Sequence, residues 1–218
     1  MDGVVTADGA QVRPRRADAQ RNRASILEAA LAVLIEDGPD APLDKIARRA
    51  GVGNATVYRH FLDRDELVRA VILAVVERNA ATAEELLATE PDPVAALRAF
   101  MHRGADSRIS AIGTVLSEWV DKEVPRFAEA NDRILAALRR MISDGQRRGL
   151  LRPDIGVGDV FLALCQLTRP MPGVDARLSS PYAHRHLDLL VDGLCTSTPT
   201  PLVEAVDLDR LHARSGHA

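Results

Sequence analysis

The sequence predicts an all-α fold, and three observations favour it. Aromatic residues make up only 3% of the 218 residues, and no segment keeps the period-two alternation of a β-strand. Apolar residues instead recur at i, i+3, i+4 and i+7, which places them on one face of a helix. Glycine and proline separate these stripes, so the helices are expected to be joined by turns.

The first predicted helix runs from about residue 19 to residue 37 and stops at Gly38-Pro39, a pair that cannot continue a helix. Residues 1–18 are rich in Gly, Asp, Ala and Arg and are expected to form a disordered basic arm. The helix is expected to bury four side chains at helical spacing: Leu27, Ala30, Leu31 and Leu34.

Residues 43–61, LDKIARRAGVGNATVYRHF, predict two short helices joined by a glycine turn. Gly51 falls where a helix ends in a left-handed residue, a conformation that glycine adopts at little cost. Gly53 or Asn54 is expected to cap the second helix. Two helices joined in this way form a helix-turn-helix, whose second helix enters the DNA major groove. The side chains expected in its core are Leu43, Ile46, Val52, Val57 and Phe61.

This segment resembles the DNA-binding domain of TetR-type transcriptional regulators. Three features depart from the usual family pattern: Gly53 replaces a serine N-cap, Pro42 replaces a threonine cap, and Arg64 replaces a lysine. Glycine is an acceptable N-cap and proline suits a first turn, so the caps are weakened only modestly. The family motif AGVS-x-x-T-(L/V/I)-Y-x-(H/Y)-F is matched by Ala50, Gly51, Val52, Thr56, Val57, Tyr58, His60 and Phe61, then by Arg64, Glu66 and Leu67.

The resemblance covers roughly residues 19 to 70, and beyond them only the length and the helical pattern agree. It implies an N-terminal three-helix helix-turn-helix domain joined by a long helix to a C-terminal helical domain that binds a ligand and dimerises. The expected boundaries are a disordered basic arm at 1–18, the DNA-binding domain at 19–64, the effector-binding and dimerisation domain at 65–196, and a loose tail at 197–218.

The long fourth helix is expected to begin at Asp63, with Glu66 completing an Asp-x-x-Glu capping box, and to end before Pro91. Its length suits a link between two domains. Further helices are expected at residues 93–104, 107–120, 125–149, 157–169 and 181–195, with Ile134, Leu138 and Met141 facing inward.

The resemblance also guides the expected DNA contacts. Thr56 and Tyr58 are expected to bind phosphates through their hydroxyls, while Gly53, Asn54 and Ala55 lie nearest the base edges. A partly buried core tyrosine is the alternative for Tyr58, and plain N-capping is the alternative for Asn54. His60 and Arg64 are expected at the flanking backbone. The full expected DNA-binding set is Arg21, Lys45, Gly53, Asn54, Ala55, Thr56, Tyr58, Arg59, His60 and Arg64.

The family resemblance implies a homodimer that binds a palindromic operator and is released by a small-molecule effector. Members of the family dimerise through their last two helices, although the same apolar stripes would also serve an intramolecular core. The candidate interface residues are Val160, Phe161, Leu164, Leu187, Leu190, Val191 and Leu194. The candidate effector-pocket residues, each of which packing alone would also explain, are Phe100, Met101, Trp119, Phe127, Met141 and Cys165.

Charge is divided unevenly along the chain, whose formal net charge is −3. Residues 11–64 hold ten Lys or Arg and seven Asp or Glu, which gives +3 and leaves −6 for the rest. A basic N-terminal part can meet phosphates, and even a disordered arm can follow a minor groove, whereas a solvated tail is the alternative reading.

With two cysteines, no membrane span and no secretory signal, a cytoplasmic protein without metal or cofactor is expected.

Three other functions are open to test. An enzyme is disfavoured because no nucleophile elbow, phosphate loop or zinc-protease motif is present, and His184 and His186 diverge on a helix. A redox sensor would need Cys165 and Cys195 within disulfide reach and one activated thiolate. A constitutive architectural DNA-binding protein would not require about a hundred further residues of helix.

Overall fold

The computed structural model describes residues 12–107, 124–169, 176–195 and 198–202, of which 12–17 and 176–180 are described by their backbone alone. Within these ranges the secondary structure is helical, as the sequence predicts. The helices are α1 Val12–Asp37, α2 Leu43–Ala50, α3 Asn54–His60, α4 Arg64–Thr89, α5 Pro93–Asp106, α6 Pro125–Arg147, α7 Val157–Leu167 and α8 Ala176–Leu194.

Helix α1 differs from its prediction at its start and in its buried face. It begins at Val12, within the segment expected to be a disordered arm. Its buried stripe comprises Ile26, Ala29, Ala30, Val33 and Leu34. Leu27 and Leu31 are therefore only half-buried, because the inward face is turned by about one residue from the predicted one.

Helix α4 begins with one half of the predicted capping box. The Asp63 carboxylate accepts the backbone N–H of Glu66 at 2.8 Å, as the box requires. The Glu66 carboxylate accepts the N–H of Leu62 at 2.6 Å, one residue before the expected donor. The acidic first turn, with Asp65 and Glu66, also suits the positive end of the helix dipole.

Helices α5–α8 pack around a core in which Ile134, Leu138 and Met141 are buried, as predicted. Small residues allow close approach: a Cβ on Gly145 would lie 2.6 Å from Leu151 Cδ1. Helix α8 begins at Ala176, earlier than the predicted 181, because Pro181 lies inside the helix rather than at its start. The helix predicted at 107–120 lies outside the described residues, apart from Ser107, which caps α5.

The segment after α8 is tied to the loop between α6 and α7. Arg152 Nη2 donates to the carbonyl oxygen of Thr200 at 2.6 Å, and Asp154 accepts the N–H of Leu202 at 3.3 Å. The Arg152 guanidinium lowers the pKa of Asp154 to about 2. Part of the segment expected to be a loose tail is therefore held by hydrogen bonds to two charged side chains.

The chain divides into two compact units, residues 1–71 and 72–218, with the boundary inside α4. The first unit contains α1–α3 and the start of α4, and the second contains the rest of α4 and α5–α8. Among the residues described, no helix is both long and apolar enough to span a bilayer.

Candidate nucleic-acid interface

Helices α2 and α3 form the predicted helix-turn-helix. Gly51 ends α2 in the left-handed region, at φ 69° and ψ 26°. The N–H of Val52 then bonds to the carbonyl oxygen of Ala47 at 3.0 Å, which closes the end of α2. Gly53, in an extended conformation, is the N-cap of α3 and offers no side chain for capping. The turn thus depends on the left-handed conformation that Gly51 permits.

Two side chains attach α3 to the core of the first unit. Val57 and Phe61 are 1% and 2% exposed, which confirms the predicted anchors at i and i+4. Ile46 of α2 is buried with them, whereas Leu43 and Val52 are half-buried rather than core. The guanidinium carbon of Arg23 lies 4.5 Å from the centre of the Phe61 ring, so a cation covers the outer side of this anchor.

The opposite face of α3 is open to solvent. Gly53, Asn54 and Ala55 are exposed at its N-terminal end, which is where base contacts were predicted. Tyr58 is 55% exposed, so the alternative of a buried core tyrosine does not hold. Arg59 is also exposed, whereas Thr56 and His60 are half-buried. Every residue of α3 expected to meet DNA is therefore at least partly accessible.

Two of the predicted basic contacts are already paired within the protein. Arg21 is exposed and forms an ion pair with Asp18, one turn earlier in α1. Lys45 of α2 forms an ion pair with Asp37 at the end of α1. Both pairs are partly exposed, and such pairs contribute little net stability, so a phosphate can compete with either carboxylate.

Arg64 has a structural role that the sequence did not reveal. Its Nη1 donates to the carbonyl oxygens of Pro39 and Ala41, at 2.8 and 2.6 Å. The side chain therefore joins the start of α4 to the turn between α1 and α2. Sequence periodicity carries no signal for such a contact, because the partners are backbone atoms 23 to 25 positions away.

The predicted effector-pocket residues fall into three groups. Phe100, Met101 and Met141 are buried in the second unit. Phe127 and Cys165 are half-buried. Trp119 lies outside the described residues.

Most of the predicted dimer-interface residues pack inside one protomer. The side chains of Val160, Leu164, Leu187, Val191 and Leu194 are buried in the isolated chain. For these five, the intramolecular alternative holds, which corrects the expectation that they face a second copy. Phe161 and Leu190 keep part of their surface open. Tyr182 and Leu189 of α8, which the sequence analysis did not select, are both exposed.

The cysteines lack the activation that a redox sensor needs. Both are free thiols. Burial raises the pKa of the Cys165 thiol. The pKa of Cys195 is also raised, first by desolvation, and Arg98 opposes this shift only in part. Neither side chain is therefore favoured as a thiolate.

Comparison with known proteins places both parts of the chain in one group. A family model described as bacterial regulatory proteins of the tetR family matches residues 26–71. A model for the C-terminal domain of SbtR-like transcriptional regulators matches residues 92–196.

Individual relatives agree with the family models. The transcriptional repressor LfrR of Mycolicibacterium smegmatis is 39% identical over 191 residues, which cover 83% of this chain and 92% of that protein. The uncharacterized regulator TtgW of Pseudomonas putida is 46% identical over 61 residues, so the match covers 28% of this chain and only 46% of that protein.

Solved structures share the fold. The TetR regulator SCO0520 from Streptomyces coelicolor superposes with a TM-score of 0.62 and 34% identity, over 81% of this chain and 99% of that one. LfrR in complex with proflavine superposes with a TM-score of 0.56, over 78% of this chain and 96% of that one. The superposition pairs 24% identical residues, fewer than the sequence alignment of LfrR does, so it speaks for the fold alone.

Proposed function

The chain belongs to the TetR family of DNA-binding transcriptional regulators, and from that premise we propose that it is a homodimeric repressor released from a palindromic operator by a small molecule. Members of this family are regulators rather than enzymes. A protein that acts on the bacterial chromosome works in the cytoplasm.

The exposed face of α3 is the observation that carries this proposal. Two apolar anchors hold the helix in the core, and its N-terminal end and hydroxyl-bearing residues remain accessible. Asn54 reads a base edge, and Thr56 and Tyr58 bind phosphates. Gly53 offers no capping side chain and Ala55 only a methyl group, so the backbone can approach the groove closely.

Basic residues around α3 complete the proposed contact with DNA. Arg59 and His60 lie at the end of the recognition helix, and Arg21 and Lys45 exchange their carboxylate partners for phosphates. Arg64 keeps Nη1 on the two carbonyl oxygens and turns its remaining donors toward a phosphate. Each phosphate contact adds affinity without selecting a sequence.

A dimer follows from the size of the recognition element. One helix of seven residues reaches only a few base pairs, and paired modules on half-sites about one helical turn apart extend the contact. We assign the interface to the outer faces of α7 and α8, where Phe161, Leu190, Tyr182 and Leu189 remain accessible. These replace the buried residues that the sequence pattern selected.

The effector is proposed from LfrR, a relative that matches 83% of the chain. LfrR is a repressor whose solved complex contains proflavine. We infer that this chain also takes a planar aromatic cation, within the second unit and close to Phe127 and Cys165. Binding acts on DNA through a difference in effector affinity between the DNA-bound and released arrangements of the dimer.

The first experiment measures binding to the promoter DNA that flanks the protein's own gene, by gel shift across a salt series with random DNA as competitor. Size-exclusion chromatography with light scattering gives the stoichiometry. A dimer on a palindrome, resistant to competitor, supports the proposal. Weak, salt-sensitive and sequence-blind binding favours an architectural protein instead, and absence of binding contradicts the proposed role of α3.

A further inference from the structure

Two histidines meet between α5 and α8, in the second unit and outside the proposed DNA interface. His102 Nδ1 and His184 Nδ1 are 2.6 Å apart. The ring centres are 4.8 Å apart and the planes differ by 9°. Because the centres are so much farther apart than the two nitrogens, the rings face each other edge to edge, with Nδ1 pointing at Nδ1, rather than stacking face to face.

Each ring also contacts a carboxylate through its other nitrogen. His102 Nε2 is 3.0 Å from Asp188 Oδ1, and His184 Nε2 is 2.9 Å from Asp106 Oδ1. The result is a continuous row of three polar contacts, from Asp188 through both imidazoles to Asp106. The carboxylate of Asp188 comes from α8 and that of Asp106 from α5, so each ring bonds to a carboxylate on the opposite helix.

The number of protons on the four ring nitrogens decides whether all three contacts are hydrogen bonds. Each of its three contacts needs one proton between its two atoms. A neutral imidazole carries one N–H and an imidazolium carries two. Two neutral rings therefore supply two protons, and two cationic rings supply four. One neutral ring and one cation supply three, which satisfies every contact.

Any other count breaks a contact. A fourth proton sets two N–H donors against each other across 2.6 Å. Loss of the third proton leaves one contact without a proton. Either the lone pairs of the two Nδ1 atoms then face each other, or an unprotonated Nε2 faces its carboxylate. A zinc ion does not fit between the two Nδ1 atoms, because zinc keeps each ligating nitrogen at about 2.0–2.1 Å and would hold the two nitrogens farther apart.

The surrounding charges favour one cation in the pair. Arg98 donates to Asp188 at 2.7 Å and to Asp192 at 2.6 Å. Bonds from His102 and then from Arg98 lower the pKa of Asp188, so it remains an acceptor. Within the described part of the chain, the charged groups bonded to the two rings are Asp106 from α5 and Asp188 from α8, and Arg98 from α5 joins Asp188 to Asp192 of α8.

We propose that His102 and His184 form a proton-dependent clasp that joins α5 to α8 only while the pair holds three protons. The clasp weakens when the pH falls and a fourth proton binds, and also when the pH rises and the third is lost. Histidine side chains in general change charge between about pH 5 and 8, so this is the range over which the clasp is tested. The clasp gives the second unit a response to pH that requires neither DNA nor effector.

The stability of the full chain across pH tests this proposal. We compare wild type with His184→Asn, since an amide replaces the donor or acceptor at Nδ1 without its charge, and with His102→Asn. Each variant is expected to melt about 2–4 °C below wild type at the optimum. The difference should shrink on both the acidic and the alkaline side. Protein concentration is held constant because the chain is expected to dimerise.

His186→Asn is the matched control. His186 lies on the same helix, and its Nδ1 contacts the Tyr182 carbonyl oxygen rather than another ring. The variant is expected to keep the same dependence of stability on pH as wild type. A pH-independent effect of His184→Asn, or a profile for His186→Asn like that of His184→Asn, would overturn the clasp.

A direct spectroscopic measurement does not depend on the variants being stable. Nitrogen-15 labelling of histidine in the wild-type chain should reveal a scalar coupling between two Nδ1 atoms across a shared proton. The coupling should disappear below and above the same pH window. Two uncoupled neutral rings, each protonated at one nitrogen throughout, would contradict the proposal.

Discussion

At the scale of single residues, adjacent positions in α3 differ in exposure. Val57 is buried, whereas its neighbour Tyr58 has 55% of its surface exposed. Removing the hydroxyl of Tyr58 should therefore affect its contact with DNA without disturbing the core. The recognition helix can be tested by substitutions that leave its packing intact.

Tyr58→Phe is expected to weaken binding to operator and random DNA alike, by about 1.5–3 kcal/mol, because it removes a hydrogen bond to a charged phosphate. Fluorescence anisotropy with both DNAs measures the two losses. An unchanged melting temperature serves as the control. A loss confined to the operator would mean that Tyr58 reads a base.

Asn54→Ala is expected to relax the preference at one base pair by about 1–3 kcal/mol. The side chain is exposed at the first turn of α3, and Gly53 rather than Asn54 is the N-cap, so the cap itself is preserved. Affinities for a set of single-base operator variants locate the position. An equal loss for every sequence would assign Asn54 to a phosphate.

Arg64→Lys tests the bond between α4 and the turn at residues 39–41. The charge is retained, but the lysine ammonium ends a shorter and more flexible side chain that does not place a donor at the position of Nη1, so we expect a loss of about 1 kcal/mol in stability. The salt dependence of DNA binding should be unchanged. Arg69→Lys, at an exposed position on the same helix, is the control and should melt like wild type.

At the scale of elements, the predictions that held were those with a local cause. Gly51 and Gly149, both at positive φ, occupy ends of helices that the sequence marks. Two predicted helix starts did not hold. Nothing in the composition of residues 12–18 requires a helix, and Pro181 is tolerated inside α8, so the predicted starts of α1 and α8 came too late.

Contacts between elements could not be read from one-dimensional spacing. Glu77 and Glu84 lie seven residues apart on α4, and each pairs with an arginine 49 positions later, Arg126 and Arg133 on α6. The seven-residue spacing of the two glutamates and that of the two arginines are visible in the sequence, but nothing there indicates that α4 and α6 run side by side. The same reason hid the contact of His102 with His184 and the bonds made by Arg64.

Gly51→Ala tests the turn as an element. The position lies at φ 69°, and an added Cβ would meet nothing within 4 Å, so the cost is backbone strain alone. We expect a loss of about 1–2 kcal/mol in the first unit, seen in chemical denaturation. Gly53→Ala, at φ −74° and also in open space, is the control and should cost less. Equal losses for the two variants would show that the left-handed conformation is not the reason why glycine is needed at position 51.

At the scale of the whole molecule, charge differs between the N-terminal part and the rest of the chain. The excess of three positive charges in residues 11–64 favours DNA, and the −6 of the remainder keeps that part from binding it without specificity. A family model matches each part separately. In the proposed function, the second part therefore serves regulation rather than DNA affinity.

Proflavine provides the test of that regulation. An effector shifts the protein only by its differential affinity for two states, so the operator affinity should fall about 5–150-fold when the dye is saturating. Calorimetry with protein alone measures dye binding, and anisotropy of labelled operator measures release. The coupling is reciprocal, so operator DNA must lower the affinity for the dye by the same factor.

A planar cation also intercalates into DNA, so release alone is ambiguous. Phe127→Ala separates the two causes, because Phe127 is half-buried in the second unit and intercalation does not depend on it. The variant should bind operator like wild type without dye, bind proflavine more weakly, and stay on DNA at dye concentrations that release wild type. If the variant binds proflavine more weakly and still leaves the operator together with wild type, the dye acts on the DNA, and the proposed effector class is refuted while the DNA-binding role of α3 stands. If Phe127→Ala binds proflavine like wild type, the proposed location of the site is refuted.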